Sequence, residues 1–343
     1  MLNSTDQFEQ PPDSALSIAR QGGFFAGGRA IERDGDIVRG DHLYVQFQVP
    51  ANARGLPLIF WHGGTTSGAG WECTPDGRES FQSLLVRRGF STYVIDQPRK
   101  GRSGGAPFEV NLNLRPPGEI DSWNIWRLGE WNPPDAPTFF PGVQVDRHPN
   151  SIDQLFRQRT PEIGPSVNEQ VDVALDALDS LIERTGRCVL IIHSNSGKAA
   201  WQSSMRNEGV AGIVAYEPGA FVFPDDQPPE EIYTTNDRVR LITQPILVPR
   251  EQFDHLAKIP IQLVYGDNIT GTPSANLGAE LWRVNMIRAG QFSDTLNQIQ
   301  GSAAILHLPA VGLRGNTHFA FSDLNNVDIA DLLVTFLRES DLA

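Results

Sequence analysis

The run Cys188-Val189-Leu190-Ile191-Ile192-His193-Ser194-Asn195-Ser196-Gly197 is the most informative in the chain. The apolar run reads as a buried strand, and a helical pattern begins at Gly197. A serine caught between the two can stand exposed on a sharp turn, the geometry of a nucleophile elbow. Strand end and helix start come close there, so small residues are wanted on both sides of the serine. Ser196 and Gly197 supply them on the helix side, whereas Ile192 and Ser196 stand where the pattern G-x-S-x-G would have glycines. Centring the turn on Ser196 puts Lys198 two residues later, where a small side chain is needed, so Ser194 is the candidate nucleophile. The competing reading is a strand that merely ends in a polar turn.

On either side of this run short apolar strands alternate with helical patterns, which predicts a mostly parallel sheet covered on both faces. Strands are expected near 22–32, 41–49, 56–61, 91–96, 187–193, 211–216, 260–265 and 303–309. Helices are expected over 78–89, 167–185, 197–208, 275–290 and 325–338; the second carries Val171, Val173, Leu175, Leu178, Leu181 and Ile182 at helical intervals. The economical organisation is one α/β domain over 1–343 with two lid insertions. Residues 98–166 hold Trp123, Trp126 and Trp131 among many prolines, too aromatic for a disordered linker. Residues 220–257 are Pro- and acid-rich and begin with Phe221. These four aromatics are the candidate substrate pocket, with simple anchoring of the excursion as the alternative for the tryptophans.

An acyl-transfer serine needs a base, an acid that orients it and donors for the oxyanion, arriving in the order Ser, Asp/Glu, His. His318, in Gly315-Asn316-Thr317-His318 between the last strand and last helix, fits the base. His307 lies inside a strand pattern and His62 inside another motif. Two carboxylates stand at carboxyl strand ends, where open α/β sheets carry their sites: Glu217 after 211–216 and Asp267 after 260–265. Oxyanion donors must be backbone N–H groups in a stretch where the chain can approach substrate closely. The Gly-rich loop His62-Gly63-Gly64-Thr65 offers Gly64 or Thr65, and the elbow offers Asn195.

With these residues in hand, the chain resembles the α/β-hydrolase superfamily over nearly its whole length: His62-Gly63-Gly64, Ser194, Glu217 and His318 fall in the family's order. Within it the chain is most similar to a bacterial esterase group marked by Trp71-Glu72-Cys73-Thr74-Pro75-Asp76-Gly77-Arg78, Ser91-Thr92-Tyr93-Val94-Ile95-Asp96-Gln97, Tyr216-Glu217-Pro218-Gly219 and Gly315-Asn316-Thr317-His318. The resemblance implies Glu217 as the acid. In many superfamily members the acid stands three residues beyond the glycine after the later strand, a place held here by Ile269. It also implies the H-G-G loop as the oxyanion site and hydrolysis of a carboxylic ester or lactone of a hydrophobic small molecule through an acyl-enzyme, without cofactor or metal. A hydrolase-fold lyase or isomerase, or a ligand-binding protein with a slow or silent triad, are the alternatives.

Composition bounds the partners. The 343 residues are 40% hydrophobic, enough for a sizeable core. A formal charge of -13, from 28 basic against 41 acidic side chains, opposes a phosphate-backbone partner, so nucleic acid is not expected. The two cysteines cannot build a disulfide framework. No stretch approaches the roughly 20 apolar residues of a membrane span. A homodimer is left open. The first ten residues lack a basic start and an apolar core, which predicts a cytoplasmic protein.

Overall fold

The computed structural model describes residues 15–108, 118–161 and 167–343. The N-terminal stretch behind the cytoplasmic expectation, and parts of the first insertion, lie outside the described residues. The main strands are β1 (Ile18–Arg33), β2 (Asp36–Pro50), β3 (Leu58–Trp61), β4 (Thr92–Asp96), β5 (Cys188–His193), β6 (Val210–Tyr216), β7 (Pro260–Tyr265) and β8 (Ser302–His307). The principal helices are α1 (Phe81–Arg87), α2 (Glu119–Ile125), α3 (Pro149–Arg157), α4 (Val167–Thr185), α5 (Gly197–Arg206), α6 (Leu277–Gln298) and α7 (Asn326–Glu339). Eight mostly parallel strands alternating with helices make the α/β-hydrolase fold.

The chain divides into two compact units. The first, built from residues up to 112, 146–181 and 321–343, carries the strand order β1-β2-β4-β3. β1 pairs antiparallel with β2 and β2 with β4, while β3 and β4 run parallel. All four residues of β3 are buried, as expected of a strand covered on both faces. Ser80 starts α1 by accepting the Ser83 N–H, and Phe81, Leu84 and Leu85 are buried where the helix packs on β2 and β4. The motif 71–78 is structural in this unit. Trp71 stacks on Phe321 with centroids 3.8 Å apart, and the Arg78 guanidinium donates to the carbonyls of Ser322, Asp323 and Leu324 and to Asn326 Oδ1, holding the turn that opens α7.

The second unit, residues 113–145 and 182–320, carries β5-β6-β7-β8, all parallel. Every residue of β5 and β6 is buried. Register sets His193 opposite Tyr216 and Tyr216 opposite Val264, so the residues following each strand emerge at one sheet edge. That edge carries the candidate chemistry. α6 is capped by Asn276, which accepts the N–H groups of Gly278 and Ala279, and it runs to Gln298 rather than ending near 290. Gly290 interrupts the pattern locally, but burial of Phe292 and Leu296 carries the helix through. The tryptophan-bearing excursion is ordered by α2 and the ribbon Gly129–Glu130 with Thr138–Phe139. Trp282 of α6 donates its indole N–H to Ile125 O at 2.6 Å, which clips the excursion to α6.

Candidate active site

Ser194 follows β5 directly, half-buried, with φ +53°, the left-handed conformation that a nucleophile elbow requires of a non-glycine residue. Ser196 closes the turn. Its hydroxyl donates to His193 O at 2.8 Å and accepts the His193 N–H at 3.0 Å, so it is committed to the backbone. The close approach demanding a small side chain falls on the helix side: a Cβ at Gly197 would lie 3.2 Å from Pro218 Cβ. Ile192, which stands where the usual pattern has a glycine, is buried in β5 opposite Ala215. Ser194 O accepts the Gly219 N–H at 2.7 Å, tying the elbow to the loop that carries Glu217.

Glu217 and His318 meet. His318 Nδ1 lies 2.6 Å from Glu217 Oε2, and both side chains are about 3% exposed. Burial pushes the Glu217 carboxyl up, but the Arg127 guanidinium and the His318 hydrogen bond more than offset it and hold the group at about 2. An ionised carboxylate only accepts, so the proton of this pair sits on His318 Nδ1, leaving Nε2 as an acceptor. Burial lowers the His318 pKa; Glu217 opposes that shift without cancelling it, and Arg127 adds to it. The ring is therefore neutral at neutral pH, as a general base must be. It is flanked by the rings of His193 at 4.3 Å and Trp282 at 4.5 Å. Its backbone is pinned too, its N–H donating to Trp126 O at 3.0 Å and its C=O accepting from His193 Nε2 at 2.9 Å.

The loop bearing His318 has its own architecture. Gly315 has φ +78°, and a Cβ there would lie 1.9 Å from Gly142 O, so only glycine fits. Asp267, the rival acid, supports this loop and is not bonded to the histidine. Its Oδ2 accepts the Gly315 N–H at 2.8 Å, its Oδ1 accepts the Asn268 N–H at 2.7 Å, and its own N–H donates to Asn316 O.

Sequence reasoning passed over Arg127. Its Nη1 donates to Glu217 Oε2 at 2.9 Å, its Nη2 to Glu217 Oε1 and its Nε to Asp267 O at 2.8 Å, and the side chain is 1% exposed. A lone arginine 90 residues before its partner, in a segment without periodicity, leaves no signal in a single sequence.

The remaining predicted residues are placed as follows. Asn195 is exposed on the elbow. Gly64 and Thr65 belong to the first unit, in a loop where Thr65 has φ +54° and its C=O accepts the Thr160 N–H at 2.8 Å. His62 braces that loop, with Nδ1 on Gly63 O and Nε2 accepting the Gln97 N–H. Trp123 and Trp126 are buried and Trp131 half-buried; Trp123 packs edge-on to Trp131, and Trp126 edge-on to Phe319 beside His318. Phe221 is in a different environment from the pocket expected for it: it is buried between Trp201 and Phe292, which is core packing behind the elbow helix. Among the described residues no group of three or more His, Cys, Asp or Glu side chains could hold a metal ion, and no helix is long and apolar enough to cross a membrane.

No family model matches the chain. A curated relative, a probable secreted lipase, phiG, of Fungal sp. (strain ATCC 74256), is 24% identical over 99% of this chain and 95% of its own length. A solved structure described as a novel bacterial esterase is 29% identical, with TM-score 0.75, covering 96% of this chain and 99% of that one. The expectation of a cytoplasmic protein is corrected by the first of these, whose name points to secretion. The physical reason is that a secretory address is a removable segment separate from the fold, so the enzyme body carries no mark of its compartment. Strand order and likeness over nearly the full length show the α/β-hydrolase fold in a chain similar to a bacterial esterase.

Proposed function

We propose that the protein is a serine hydrolase that cleaves a carboxylic ester of a hydrophobic small molecule through a Ser194-His318-Glu217 triad. The observation that carries the reading is the 2.6 Å bond between His318 Nδ1 and an ionised Glu217, with the His318 ring 4.3 Å from that of His193, the residue before the left-handed turn at Ser194. With Nδ1 protonated, the Nε2 lone pair takes the Ser194 proton as Oγ attacks the ester carbon. The N–H group of Asn195, on the elbow itself, is a donor to the developing oxyanion. His318 then protonates the leaving alkoxide, and a water molecule, activated by the same nitrogen, releases the acid and regenerates Ser194. Glu217 faces the imidazolium throughout and stabilises it. The aromatic excursion with Trp123, Trp126 and Trp131 roofs the acyl side, which favours apolar esters or lactones over charged ones. The name of the curated relative, a probable secreted lipase, supports secretion of this enzyme as well.

The test is an ester panel of graded acyl length assayed on Ser194→Ala and His318→Ala. Both folded variants are expected to lose activity toward every member, by up to about a millionfold. Retained turnover in a folded Ser194→Ala protein would overturn the reading.

A further inference from the structure

We propose that Arg127 is the positioning residue of this site: its fork holds the Glu217 carboxylate in the plane that turns one oxygen to His318 Nδ1. The inference rests on the triad reading above. Four donors reach the carboxylate. Oε1 takes Arg127 Nη2 and the Gly266 N–H at 2.8 Å; Oε2 takes Arg127 Nη1 and His318 Nδ1. Apart from the histidine, arginine supplies two of the three restraints, one on each oxygen. Without it the side chain would keep a single backbone donor, on one oxygen, and would be free to rotate about that contact. A planar, bidentate donor fixes orientation as well as distance, which a single ammonium cannot do.

Arg127 is itself held rigidly. Its Nε donates to the Asp267 carbonyl, and its guanidinium carbon lies 5.2 Å from the centre of the Trp282 ring, which also flanks His318. Three successive residues of the excursion thus engage the site: Ile125 O takes the Trp282 indole N–H, Trp126 O takes the His318 N–H, and Arg127 grips Glu217. This part of the excursion is built into the catalytic frame and does more than cover it.

The positive charge has a second consequence. The ionisable groups packed around His318 are Glu217, Arg127 and His193, with Tyr265 behind the carboxylate. The Asp267 carboxylate is turned to the Gly315 and Asn268 N–H groups instead. His193 Nε2 donates to the His318 carbonyl. Arg127 therefore offsets the pull of Glu217 on an imidazolium and helps keep His318 unprotonated. Losing it should weaken the geometry and at the same time make His318 easier to protonate. A residue that served only the fold would change stability alone.

The experiment compares Arg127→Gln, Arg127→Lys and Glu217→Gln in the full chain, using p-nitrophenyl acetate and kcat/KM from pH 4 to 9. Arg127→Gln is expected to lower kcat about 10- to 100-fold with little change in KM, and to move the acid limb up by about half a unit or more. Arg127→Lys should keep the limb near its original place, because the charge remains, and should recover only part of kcat, because the fork is gone. If Arg127→Gln does not fold, Arg127→Lys decides: wild-type kcat overturns the proposal. Folded Arg127→Gln with kcat and limb both unchanged overturns it as well, and so does failure of both variants to fold, which would assign the arginine to the fold. Glu217→Gln separates the two readings. Full activity in that variant removes the triad reading itself, whereas its inactivity alongside wild-type-like Arg127 variants removes only this inference.

Discussion

Replacing Glu217 by glutamine changes one oxygen into an NH2 group, and the structure lets the cost be worked out. If the NH2 takes the Oε2 place, it meets Arg127 Nη1 and His318 Nδ1–H, both donors; in the Oε1 place it meets Arg127 Nη2 and the Gly266 N–H, again both donors. Either way two donors lose their acceptor, and a buried guanidinium loses its counter-charge. Removing one partner of a buried ion pair costs about 3–5 kcal/mol of stability. In the first orientation His318 faces an amide N–H and is driven to the tautomer with its proton on Nε2, which cannot accept from Ser194, and rate losses reach about ten-thousandfold. Asp267→Asn is the control. Asparagine keeps one of two acceptor oxygens in a half-exposed loop, so a cost of about 1 kcal/mol is expected, with less than about tenfold lost in rate. Urea denaturation and kcat/KM on both folded variants make the comparison. A larger rate loss at Asp267 than at Glu217 would make Asp267 the acid.

Ser196→Ala should cost roughly 1–3 kcal/mol in urea denaturation, since its hydroxyl serves both the N–H and the C=O of His193, and should still accept a serine-directed label. Activity should be flat through neutral pH and fall as pH drops through a His318 pKa lying below the ordinary value of about 6.5; an acid limb above pH 7 would contradict the burial argument. Stability follows the same sign: the neutral His318 contribution is complete above about 6.5 and lost below it, and the Glu217 contribution is complete above about 4.3 and drains away as pH falls toward 2, which denaturation at successive pH values would show. Trp126→Ala and Trp131→Ala should raise KM for long-chain esters far more than for acetate if these rings line the acyl pocket. An unchanged chain-length ratio with a lowered Tm would make them anchors only.

The fold was legible because its strands announce themselves. Cys188–His193 and Val210–Tyr216 are short uncharged runs bounded by turns, and each has one sequence-local explanation. Residues at strand ends were legible for the same reason: Ser194, Glu217 and Asp267 each follow such a run. Choosing between the two carboxylates needed geometry, because which one faces His318 depends on how the 315–318 loop folds back, and that loop is shaped by the crowding of Gly315 against Gly142. Arg127 was illegible. Its partner is distant in sequence, and its meaning exists only once Trp282, His318 and Glu217 have been brought around it. Phe221 misled for a related reason: adjacency to Glu217 in sequence suggested the pocket, but in a chain turning sharply at φ +44° on Glu217, nearby side chains diverge.

Treating the protein with a fluorophosphonate and mapping the modified peptide by mass spectrometry identifies the nucleophile. A single adduct on Ser194 is expected, absent from Ser194→Ala and slowed in His318→Ala. An adduct on Ser196, or no serine adduct in an enzyme that hydrolyses esters, would contradict it.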